Sequence, residues 1–92
     1  MIKEIQVLGS EIFENNDVIL YCTSDAIQNL STSEVLQWFG DAKEVKLGSI
    51  AEVFSIQSIA PMNSFIDKMA VMLKINVLST LDMSYPTTAI IQ

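Results

Sequence analysis

The chain has 92 residues, half of them hydrophobic, and a formal charge of −6 from eleven acids against five lysines, with neither His nor Arg. That length holds one domain around one core, residues 1–92, and that hydrophobicity excludes a disordered chain. Without His the commonest acid/base group and metal ligand is missing, without Arg the usual bidentate reader of phosphate, and five scattered lysines make no basic patch for nucleic acid.

We therefore expect no enzyme, no cofactor, no metal site and no nucleic-acid partner. No run of roughly 18 apolar residues is present, and the N-terminus lacks the blocks of a signal peptide, so no membrane is expected either. The single cysteine, Cys22, excludes an internal disulfide and fits a reducing compartment, which points to the cytoplasm. The charge is uneven. Glu4, Glu11, Glu14, Asp17, Asp25, Glu34, Asp41, Glu44 and Glu52 face only Lys3, Lys43 and Lys46 in residues 1–52, while residues 53–92 are balanced and apolar.

In chain order, Ile2 to Leu8 alternates apolar and polar residues and predicts a strand with one wet face at a sheet edge. Glu11 to Glu14 fits either one helical turn or a hairpin arm, and Asn15-Asn16-Asp17 is a turn. Asp17 to Cys22 is a short apolar run bounded by turn formers, the pattern of a strand buried on both faces, and it is placed at the centre of the sheet. Ser31-Thr32-Ser33-Glu34 matches the capping box, with Val35, Leu36 and Phe39 on one helical face and Gly40 as the stop.

Lys43 to Leu47 predicts another strand, with Val45 and Leu47 on one side. Ser49 and Glu52 repeat the capping-box spacing and predict a helix from Ile50 to about Ile59, ended by Pro61. Phe65, Ile66, Met69, Met72 and Leu73 follow an amphipathic stripe and predict a helix from Met62 to about Leu73. Ile75 to Leu81 continues that helix or turns to strand. Tyr85-Pro86 is a turn, and Thr87 to Gln92 is a terminal strand.

Three features carry a chemical alternative. Cys22, Ser24 and Asp25 stand at the carboxyl end of the apolar strand, where open α/β sheets bind ligands, but no His is available to activate the thiol. Gly9-Ser10 and Gly48-Ser49 read as ordinary turns, since they lack the glycine spacing and lysine of phosphate loops. The similarity between Lys3–Phe13 and Lys43–Phe54 does not continue far enough to indicate a duplication.

The expected fold is a small α/β domain of three to four short strands with two to four helices, mainly on one face. The alternative is an α+β arrangement on an antiparallel sheet. The expected function is a non-enzymatic interaction module that binds a protein stoichiometrically, as a small acidic inhibitor, immunity-type or adaptor protein does. The expected contact set is Trp38, Met62, Phe65, Met69 and Met72, with Glu34 and Asp41 supplying charge. The rivals are a self-assembling subunit of a larger complex and a small catalytic or ligand-binding domain built on the Cys22 strand end. Surface-to-volume scaling leaves part of the apolar half for a partner or for a second copy of the chain in a homo-oligomer.

Overall fold

The structure is a computed structural model that describes residues 3–65, 68–77 and 83–92, giving the backbone alone for residues 63–65 and 68. Six strands close into an antiparallel barrel in the order β1-β2-β5-β4-β3-β6. They are β1 (Lys3–Ile12), β2 (Asp17–Thr23), β3 (Glu44–Leu47), β4 (Val53–Phe65), β5 (Lys68–Asn76) and β6 (Thr87–Ile91), with one helix, α1 (Thr32–Trp38), among the described residues.

Alternation builds the interior. Ile5 and Val7 of β1 point inward, as do Val18, Leu20 and Cys22 of β2 and Val45 and Leu47 of β3. Val71, Leu73 and Ile75 of β5 and Ala89 and Ile91 of β6 complete the filling, all at most a few per cent exposed. Period-2 side chains on closed strands can all share one interior, so the barrel has no need of helical layers. The helix lies in the connection from β2 to β3 and buries Val35 and Phe39 against the same core. Its end of the barrel is therefore filled, while the β1–β2 hairpin turn lies at the opposite end.

This overturns both the α/β reading and the α+β alternative: the chain is an antiparallel barrel with one short helix, not two to four helices on a sheet. The helices expected over Ile50 to Ile59 and Met62 to Leu73 are strands β4 and β5. Two physical causes explain the error. A register shift between Ile56 and Ser58 breaks the alternation of β4, so its inward residues Phe54, Ile56 and Ile59 are spaced two and then three apart and imitate a helical face. On β5 the outward residues Ala70 and Met72 are apolar too, which hides the alternation.

Ser49 and Glu52 belong to the turn after β3. There Gly48 takes φ +52°, its N–H donates to the Thr88 carbonyl at 2.7 Å, and no helix follows. Pro61 does not end a helix but sits in β4, where β5 is its only strand neighbour among the described residues. A residue without an N–H is tolerated at such an edge.

Other elements stand where the sequence places them. The strands over Lys3–Leu8, Asp17–Cys22, Lys43–Leu47 and Thr87–Ile91 and the capped helix are all present. β1 pairs with β6 over Lys3–Val7 and with β2 from Gln6 to Ile12, so it is no simple edge: Gln6 and Val7 have a strand on both sides, and the strand runs on through Gly9 and Ser10. β2 buries one face fully, and its Ile19 and Tyr21 are half-buried on the other. Ile2, Ile66 and residues 78–81 of the expected elements lie outside the described residues.

Candidate functional site

Among the described residues the β1–β2 hairpin carries the largest apolar exposure. After Val7 the pairing of β1 with β6 ends, a bulge at Leu8 shifts the register, and the ribbon continues on β2 alone from Gly9 to Ile12. Beyond it, Glu11, Ile12, Phe13 and Glu14 are all exposed, Ile12 by 61% and Phe13 by 44%. Leu36 and Val53 are the other large hydrophobics exposed to a similar degree among the described residues, and neither has an apolar chain neighbour that is also exposed in this way.

The turn that presents this pair is pinned. The Phe13 N–H donates to the Asp17 carbonyl at 2.9 Å, and the Asn16 N–H donates to the Phe13 carbonyl at 3.0 Å. Asn16 adopts φ 67°, a conformation Asn tolerates, and its carbonyl accepts from Val77 at the end of β5. The Asn15 side-chain amide donates to Asp17 Oδ2 at 2.9 Å, and the same carboxylate oxygen pairs with Lys74 Nζ at 3.1 Å. Glu14, Asn15 and Asp17 line one shallow cleft with Ile12 and Phe13. Glu11 accepts a hydrogen bond from Tyr21, and the bond together with the nearby negative charge pushes the Tyr21 phenol above its usual value.

The residues singled out from the sequence are divided by the fold. Met72 stands on the outer face of β5, opposite Tyr21 of β2 and Ala60 of β4, and Met62 lies one row away, opposite Ala70. Met69 packs against the core instead, and its carbonyl accepts from Thr23 Oγ1 at 2.9 Å. The methionines therefore do not share one face. Phe65 pairs with Lys68 through the backbone at the end of the β4–β5 hairpin, and its side chain lies outside the described set.

Trp38 is half-buried, in a T-shaped contact with Phe39 at 4.7 Å, with Lys3 Nζ 4.8 Å from its ring centre. Glu34 closes the capping box: Ser31 N–H donates to its carboxylate at 3.1 Å, which holds its pKa below the usual range. Asp41 is exposed after the helix, in a small cleft with Lys3, Ala42 and Gln92.

Cys22 has no exposed surface, and burial drives its thiol pKa far up. Ser24 Oγ accepts from the Ala26 N–H, and Asp25 accepts from the Gln28 amide, so both are engaged in their own turn. The three do not converge on a reacting group.

Sequence reasoning left the pair Ile12 and Phe13 unassigned between helix and hairpin. The available signal was their position: two large apolar residues between acids, directly before Asn-Asn-Asp. No helix among the described residues is long and apolar enough to cross a membrane. Comparison with protein-family models, curated proteins and solved structures finds no match.

Proposed function

We propose that this chain is a non-enzymatic, cytoplasmic interaction module that binds a protein partner stoichiometrically through the tip of its β1–β2 hairpin. The observation that carries this reading is the exposure of Ile12 and Phe13 side by side on a pinned turn. The exposed parts of the two amount to about one large apolar side chain, whose burial would contribute about 2–3 kcal/mol. Because the turn is already held by backbone and side-chain bonds, little ordering cost would offset that gain. The single cysteine, enclosed in the core, supports a reducing compartment. The module differs from the one expected from sequence in its contact residues: Ile12 and Phe13 replace a methionine face.

The test is capture from an extract of the native source, comparing the unaltered protein with the Ile12→Ser/Phe13→Ser double variant and with Leu36→Ser as a control of matched exposure. Loss of a captured protein in the double variant alone, with an unchanged melting temperature, is expected. Retention of every captured protein by the double variant would refute the assignment.

A further inference from the structure

Charge decides what the hairpin tip can accept. Glu11 and Glu14 flank the apolar pair directly, and both are exposed. Asp17 is matched by Lys74, and Glu11 accepts a hydrogen bond from Tyr21. Lys3 and Lys68 stand at the ends of β1 and β5 remote from the turn, while Lys43 and Lys46 lie before and within β3, which pairs with β4 and β6 and not with the hairpin. The tip thus carries Ile12 and Phe13, exposed between two acids, past the end of the β1–β6 pairing.

A second copy docked tip to tip would bring like charges together, and phosphate-rich surfaces such as nucleic acid or anionic lipid would be repelled as well. We infer that the partner of this tip is a protein surface with an apolar depression ringed by lysine or arginine. The inference rests on the reading of the tip as the docking surface and adds the chemistry of the occupant. In such a pairing the acids speed and orient the encounter, while Ile12 and Phe13 set how long it lasts.

The experiment is a titration of the ¹⁵N-labelled protein with a synthetic amphipathic peptide of lysine and leucine, and separately with its glutamate and leucine counterpart. The expected result is amide shift changes centred on Glu11 to Asn16 with the cationic peptide only, weakening as salt rises. The Glu11→Gln/Glu14→Gln variant should bind roughly fivefold more weakly, the effect of two exposed ion pairs. Shift changes centred elsewhere, or equal response to both peptides, would overturn the inference. If the tip ignores the cationic peptide while the Ile12→Ser/Phe13→Ser variant still loses its captured protein, the partner chemistry fails and the docking surface stands. If that variant also keeps its captured protein, both fail.

Discussion

Cys22 and Tyr21 are chain neighbours with opposite fates, because successive side chains of a strand face opposite sides. The Cys22 thiol is in the core, so the native protein should resist iodoacetamide and react only on unfolding; fast alkylation of the folded protein would contradict this placement. Cys22→Ser, which buries a hydroxyl without a designed partner, is expected to cost about 1–3 kcal/mol in a denaturant titration.

Tyr21 looks outward toward Glu11, and its raised pKa makes a pH prediction. A group whose folded value lies above its unfolded value near 10.0 contributes stability below that pH and loses it as pH rises through the folded value. Ultraviolet titration should place the Tyr21 midpoint above 10.0, and Glu11→Gln should return it toward that value. Gly48 is constrained in another way. At φ +52° an added Cβ would lie 2.6 Å from Thr87 Oγ1, so Gly48→Ala should lower stability by about 1 kcal/mol or more.

At the scale of elements, α1 was the most legible, since the Ser31 and Glu34 pair is a local chemical signal that depends on no tertiary partner. Ser31→Ala should cost about 1 kcal/mol. Because the Glu34 pKa is lowered by the Ser31 N–H and hydroxyl, that bond stabilises above the ordinary carboxylate range and is lost as pH falls through the folded value. β1, β2, β3 and β6 were legible because turn formers bound them.

β4 and β5 were not, for physical reasons in particular residues. The bulge near Gln57 and the apolar outer face at Ala70 and Met72 erase the period of two, and Ser49 with Glu52 imitates a cap. The strand assignment has a direct check. Leu73→Ala should cost about 2–5 kcal/mol, while Met72→Ala, on the outer face, should cost clearly less; similar costs would favour the helical stripe. The tip at Ile12 and Phe13 was legible only as an ambiguity, because exposure of an apolar pair is decided by where β6 stops pairing, which no local pattern encodes.

At the scale of the molecule, barrel closure settles how so apolar a chain satisfies itself. Residues from all six strands share one interior, α1 fills one end, and Phe54, Val71, Leu73, Ile75, Val77, Ala89 and Ile91 of the second half belong to that core. Among the described residues, Ile12 and Phe13 at the opposite end are the exposed large hydrophobics adjacent in the chain, and acids flank them. A self-assembling subunit and a binding module make different use of that end, and the acidic charge beside Ile12 and Phe13 favours a partner other than a second copy. The measurement that tests this most directly is absolute mass by light scattering after size exclusion, over a dilution series at low salt. The account predicts a mass near 10.2 kDa at every concentration. A stable larger species that the Ile12→Ser/Phe13→Ser variant dissociates would contradict it, because the tip would then be occupied by the chain itself.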